Sequence, residues 1–228
     1  MKQRSLLQTI FPFVVTAVPW IYLAMIWNKL PEVIPTHFGI NGTPDKFGER
    51  SEVLAAPAIM TTVGLLMYFI LRNIYKIDPR KKYAAGNAGL LGKIASVTLI
   101  FLSAVAVLII YWTLHGKVVG GNFLFCGISL FMAYIGNVFH SVKPNYFAGF
   151  RLPWTLENED NWRKTHQLAS KLWFTGGLIL ALATLVTGPK TAFFIFMTGI
   201  LILVLVPVAY SYNLYKNGNK EKADSNPS

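Results

Sequence analysis

The chain holds one cysteine, Cys126, and only 10 acidic residues among 228. A lone cysteine excludes an intrachain disulfide framework, and its place inside an apolar run makes it a packing residue. Charged residues make up 14% of the chain, against about 25% in soluble domains, so a water-soluble fold of this length is a poor fit. Histidine is scarce as well. None of His37, His115, His140 and His166 pairs with another at the short helical spacing of a zinc site. A phosphate-cradling glycine loop and a nucleophile elbow are also missing. The chain is therefore read as a non-enzyme, with no metal and no cofactor assigned.

What the chain does have is long apolar runs. Six of them, Ile10–Trp27, Val53–Leu71, Ile94–Trp112, Phe123–Phe139, Leu172–Thr187 and Thr191–Tyr210, contain no Asp, Glu, Lys, Arg or His. At about 1.5 Å per residue each matches a hydrocarbon core of about 30 Å. The fold expected is all-α, a polytopic bundle of six transmembrane helices. Basic residues precede the first run, but it lacks a convincing small-x-small cleavage site, so it reads as a retained helix rather than a signal peptide.

The formal net charge of +11 raises nucleic acid as a partner, and its distribution argues against that. Sixteen of the 21 Lys and Arg residues lie in the N-terminus, in Arg72–Lys93, in Lys143–Lys171 and in the tail Lys216–Lys222. Lys29, Lys46, Arg50, Lys117 and Lys190 fall on the other side. This positive-inside bias predicts an N-in, C-in topology, with the excess charge facing anionic lipid. Direct nucleic-acid binding is not expected, and membrane lipids are.

Two polar segments are too long to be mere connectors. The first, residues 28–52, lies outside after helix 1. Pro31 and Pro35 favour extended backbone around them, and Asn41-Gly42 is a tight-turn pair. A small hairpin or hook is expected, with Phe38 and Phe47 packing on the bilayer, or equally an irregular loop. The second, KPNYFAGFRLPWTLENEDNWRKTHQLASK (Lys143–Lys171), lies inside before helix 5. Pro144 and Pro153 interrupt helix and Gly149 permits a turn. Asn158 is an N-cap followed by Glu159 and Asp160 in the first turn. Trp162, His166, Ala169 and Trp173 then share one helical face. An Arg among aromatics, Arg151 beside Phe147, Phe150 and Trp154, suits ring stacking or a bidentate contact to a carboxylate or phosphate, or equally an interfacial aromatic belt.

Four segments result: 1–71, the first two spans with the hook at 28–52; 72–139, spans 3 and 4 with an inside link; 140–215, the long segment and spans 5 and 6; and 216–228, a tail that reads as disordered. In the link, Ala88, Gly92 and Ser96 carry the small-xxx-small spacing of close helix packing. The short turns at His115–Asn122 and Gly188–Lys190 make spans 3–4 and 5–6 antiparallel neighbours. No internal repeat stands out, which weakens an inverted-repeat transporter. A passive pathway lined by Thr61, Thr62, Ser103 and Asn137 remains open.

The stretch NYFAGFRLPWTLENEDNWRKTHQLASK resembles the signature of the SdpI family, multi-pass immunity proteins named for immunity to a sporulation-delaying toxin in Bacillus. Asn145, Gly149, Arg151, Pro153, Trp154, Thr155, Leu156 and Trp162 carry the match. Many members have Gly where this chain has Ser170, a local packing difference. The loop LPEVIPTHFGINGTPDKFG is similar to a short domain of unknown function that often precedes the SdpI region, through Pro31, Pro35, His37, Gly42 and Pro44. The resemblance implies a bacterial plasma-membrane protein that protects against a secreted peptide toxin. It also implies a signalling role that sequesters a cytoplasmic transcriptional repressor. Toxin contact is expected at Pro35, His37, Phe38, Gly42 and Asp45. The signature residues, with Trp162 and His166 as a docking face, are expected to brace the bundle or bind the partner. The alternative is a small-solute or lipid transporter or channel-like protein, and a third reading is a receptor that holds a transcription factor at the membrane.

Overall fold

The computed structural model describes residues 6–39, 42–118 and 120–224. The N-terminal basic residues and Asn41 of the turn pair lie outside them. In chain order the elements are α1 (Leu6–Ile26), a hairpin of β1 (Val33–Phe38) and β2 (Pro44–Glu49), and a 3-10 turn at Arg50–Leu54. Then come α2 (Ala55–Asn73), α3 (Lys81–His115), α4 (Asn122–Phe139), the single-turn α5 (Pro153–Glu157), α6 (Glu159–Val186) and α7 (Pro189–Asp224). Among the described residues, six helices are long and apolar enough to cross a membrane. The tail expected from Lys216 is helical as far as Asp224.

Local chemistry sets the helix ends. α3 stops at Gly116, whose φ of 65° is the left-handed C-terminal cap that glycine adopts without a Cβ penalty. α6 starts where the Asn158 side chain accepts the N–H groups of Asp160 and Asn161 at 2.9 and 3.0 Å. α5 and α7 each open on a proline, which has no N–H to leave unpaired there. α3 is 35 residues long, about 52 Å at 1.5 Å per residue, well beyond a hydrocarbon core of about 30 Å. Its apolar run begins at Ile94, so Lys81–Lys93 stands clear of the hydrocarbon. The polar start of α6, Glu159–Lys171, does the same beside it.

The helices form two three-helix halves. In the first, α3 packs on α2 and α1, around the buried Tyr68, Ala95 and Leu99. In the second, α6 lies between α4 and α7. Here glycines bring backbones together. A Cβ on Gly136 would stand 2.5 Å from the Phe174 nitrogen, and one on Gly177 would stand 2.7 Å from the Ser129 oxygen. Such close approach is how helices gain packing where lipid offers no hydrophobic drive.

Two expectations change at this level. Spans 3 and 4 follow one another through a short turn, yet α4 packs chiefly on α6 and only sparingly on α3. The Ala88–Gly92–Ser96 stripe does not seat a neighbouring helix. A Cβ added at Gly89 or Gly92 meets nothing within 4 Å, and these residues line an open groove instead. The halves meet across the seam where Phe101 of α3 stacks on Phe131 of α4 and where Ile94 joins Ile135 and Phe139 in one apolar cluster, and a pocket opens at each end.

Candidate functional site

At one end of the seam the hairpin forms a lid. β1 and β2 pair antiparallel, with Val33 opposite Glu49, Pro35 opposite Phe47, His37 opposite Lys46 and Phe38 opposite Pro44. Thr36 and Asp45 are passed over in this register, which bulges the ribbon. The bulges bring His37 and Asp45 together, Nδ1 to Oδ1 at 2.5 Å, with both side chains at least half exposed. Ile34, 1% exposed, pins the ribbon to Leu23, Ile26, Leu30, Val53 and Ile110. At the tip Gly42 has φ 75°, and its carbonyl accepts the N–H of Val118 in the α3–α4 turn at 3.0 Å. Pro35 is buried, Phe38 half-buried, and Phe47 projects outward at 62% exposure.

Beneath this lid lies a cavity of about 910 Å³. β1 from Ile34 to Gly39 covers it, and Val53, Ala55 and Ala56 lead into α2 on one side. The last turns of α3 contribute Ile109, Trp112 and Thr113. The far wall comes from the other half, with Leu124 and Phe125 of α4 and Pro189 and Phe193 of α7. The lining is mainly apolar, with Thr36, His37, Glu52 and Thr113 as polar points. Glu52 folds back to accept the Glu49 N–H at 3.0 Å. That position needs Gly48, where a Cβ would stand 2.1 Å from the carboxylate oxygen. Four expected contact residues, Pro35, His37, Phe38 and Gly42, line this one space, while Asp45 reaches it only through His37. The walls from α3, α4 and α7 were not foreseen, because helical periodicity alone does not tell which apolar faces meet across a seam.

The other end of the seam is bridged by the signature segment, and here the residues act on one another. Asn145, 2% exposed, folds the turn around itself. Its Nδ2 donates to the carbonyls of Lys143 and Ala148 at 2.8 and 3.0 Å, and its Oδ1 accepts the N–H groups of Phe147 and Ala148 at 2.8 and 2.7 Å. The Thr155 hydroxyl accepts the Leu152 N–H at 2.9 Å and lies 2.6 Å from the Phe150 carbonyl, which starts α5. Trp154 crosses to α7, where its Nε1 donates to Ser211 Oγ at 3.0 Å beside the rings of Tyr212 and Tyr215. Arg151 is exposed, and one Nη donates to the Tyr146 carbonyl at 2.9 Å. Pro153 is exposed at the first position of α5.

Trp162 and His166, expected as a docking face, point inward at 1% and 2% exposure. The Trp162 indole donates to the Val142 carbonyl at 3.0 Å and stacks on His166 at 4.1 Å. His166 Nδ1 donates to the Trp162 carbonyl at 2.8 Å, which leaves Nε2 free to accept the Phe150 N–H at 3.0 Å. Both nitrogens are used by a neutral ring. His166 lies in the polar start of α6, before the apolar run from Leu172, and burial pushes its pKa down to about 4. Gly149 makes the contact possible. Its φ is 108°, and a Cβ there would sit 2.2 Å from His166 Nε2.

Three residues outside the signature complete this end. Asp78, 2% exposed, accepts the N–H groups of Arg80 and Tyr146 at 2.8 and 3.3 Å. Asn87 exchanges hydrogen bonds with the Lys143 backbone at 3.0 and 3.2 Å, and Arg80 donates to the Leu156 carbonyl. All three reach from the first half into the signature, so the segment acts as a clasp between halves. Of the residues suggested for a passive pathway, Thr61, Thr62, Ser103 and Asn137, none lines the cavity or the groove.

Six spans, a lidded cavity at one end and a clasp at the other define a multi-pass membrane protein. Sequence comparison shows what it is similar to. Residues 141–211 match the SdpI/YfhL protein family, and residues 14–61 match a domain of unknown function, DUF1648. The SdpI match covers the signature segment, α6 and most of α7. It is similar to the immunity protein SdpI of Bacillus subtilis (strain 168), with 24% identity over 212 residues, spanning 93% of this chain and 98% of that protein. It is also similar to an uncharacterized protein of Archaeoglobus fulgidus, with 39% identity over 56 residues, spanning 25% of this chain and 31% of that one. No solved structure matches the chain.

Proposed function

We propose that the chain is an immunity protein of the bacterial plasma membrane, protecting its cell from a secreted antimicrobial peptide toxin. The observation that carries this reading is the hairpin-covered apolar cavity of about 910 Å³. Its size and lining suit an apolar segment of several side chains, and its few polar groups suit orientation of a peptide. In the N-in, C-in orientation that the charge bias favours, this cavity opens outward, where a secreted toxin arrives. The similarity to a protein named for immunity supports the same reading.

The test is expression in toxin-sensitive cells exposed to candidate peptides. The chain should raise survival, and Ala56→Phe, which fills the cavity from its α2 side, should abolish protection at unchanged membrane abundance. Unchanged survival at good expression would refute the immunity reading. Full protection by the filled variant would refute the cavity as the toxin site. The inward end offers a second, signalling role, capture of a cytoplasmic transcriptional repressor, with Arg151 as the exposed cation in a rigid setting. Co-purification of a DNA-binding protein that is lost on Arg151→Ala supports this role, and absence of any such protein rejects it.

A further inference from the structure

The groove at the clasp end takes no part in the reading above. It has a volume of about 580 Å³ and lies between the end of α2, the early part of α3 and Tyr134 of α4. Its floor is Gly89 and Gly92, where added Cβ atoms meet nothing within 4 Å, so the small residues make space. Two cations frame it. Arg72 spends one Nη on the Tyr68 hydroxyl at 2.7 Å, which leaves its remaining N–H donors available. Lys93 lines the same groove, and Tyr75 and Tyr134 add phenol groups. Among the described residues, no carboxylate lines the groove.

The level of these cations is what selects a ligand. Arg72 follows the apolar run Val53–Leu71 directly, and Lys93 immediately precedes the run Ile94–Trp112. Both therefore sit where hydrocarbon gives way to headgroups, on the same side of the bilayer. A guanidinium and an ammonium lining one groove at that level, with phenols in the same lining, match a phosphate group. Ordinary snorkelling would place each cation against bulk headgroups and would require no groove.

We propose that this groove seats the phosphate headgroup of one anionic phospholipid, with its acyl chains running down the seam past Val97. The lipid then fills space between the two halves that their own side chains leave open.

Native mass spectrometry of the full chain, carried in mixed phosphatidylglycerol and phosphatidylcholine, tests this. One phosphatidylglycerol should remain bound, with phosphatidylcholine lost. The double variant Arg72→Gln, Lys93→Gln should hold it roughly thirtyfold more weakly, from two cations at the membrane surface. Gly92→Leu keeps both charges, enters open space and should evict the lipid equally, while Lys190→Gln at the opposite end should retain it. Monodisperse elution confirms folding of each variant, and Lys93→Gln alone should show an intermediate loss. Equal retention by the Gly92→Leu protein, or equal retention of phosphatidylcholine, overturns the proposal. Displacement of the lipid by excess inorganic phosphate assigns the site to a soluble phosphate and overturns the lipid.

Discussion

The His166 staple gives the sharpest prediction, because its chemistry sets a pH window. The folded protein holds the ring neutral, with Nδ1 donating to Trp162 and Nε2 accepting from Phe150. The rings of Phe139, Phe150 and Trp162 surround it. Its pKa is about 4 in the fold and about 6.5 in the unfolded chain. As pH falls, the unfolded state therefore takes up the proton first. The staple's full contribution is present above about pH 6.5, declines between about 6.5 and 4, and is gone below that. At about 1.36 kcal/mol per pH unit the loss reaches about 3 kcal/mol. Thermal unfolding in detergent, followed from neutral pH down to about 4, measures it. His166→Gln keeps one donor and one acceptor but no titration. It should be less stable than the parent at neutral pH and should converge on it as pH falls. A stability difference independent of pH would refute the reasoning, whatever the absolute melting temperatures.

Other substitutions probe the clasp and the lid. Gly149→Ala must give up the Phe150–His166 hydrogen bond and hold a left-handed backbone, at a cost of about 3–5 kcal/mol, seen as a large fall in melting temperature. Gly177→Ala pushes a methyl onto the Ser129 carbonyl in the α4–α6 contact, and should cost about 1–3 kcal/mol in the same measurement. Ile34→Ala removes the anchor of the hairpin, with a loss of about 2–5 kcal/mol and faster protease cleavage in residues 33–49. His37→Ala, by contrast, breaks an exposed pair and should leave stability within about 1 kcal/mol, so any loss of protection by that variant reports on toxin contact.

The clasp explains why a long polar segment interrupts two spans. A six-helix chain in lipid has little hydrophobic drive to hold its halves together, so polar contacts beyond the hydrocarbon can set their relation. Asp78, Asn87 and Arg80 on one side, and Lys143, Tyr146 and Leu156 on the other, supply those contacts.

Much of this was legible in the residues themselves. Uninterrupted apolar runs located all six spans, because a charge in hydrocarbon is too costly to hide among them. The hairpin region around Pro35 and Gly42, the cap at Asn158 and the single helical face shared by Trp162, His166, Ala169 and Trp173 followed from backbone preferences and helical period, both local properties. Which spans touch was not local. Gly92 and Gly177 are the same residue in similar helical surroundings, yet one floors an open groove and the other meets the Ser129 backbone. The His37–Asp45 pair is local, eight residues apart in one loop, whereas the inward turn of His166 and a cavity walled by α3, α4 and α7 depend on segments brought together only by the fold. The sequence by itself determined what each segment is, since secondary structure and membrane insertion are decided by near neighbours and solvent. Only the tertiary structure decided which faces meet and where they part, because that depends on side-chain shape across contacts that no single segment contains.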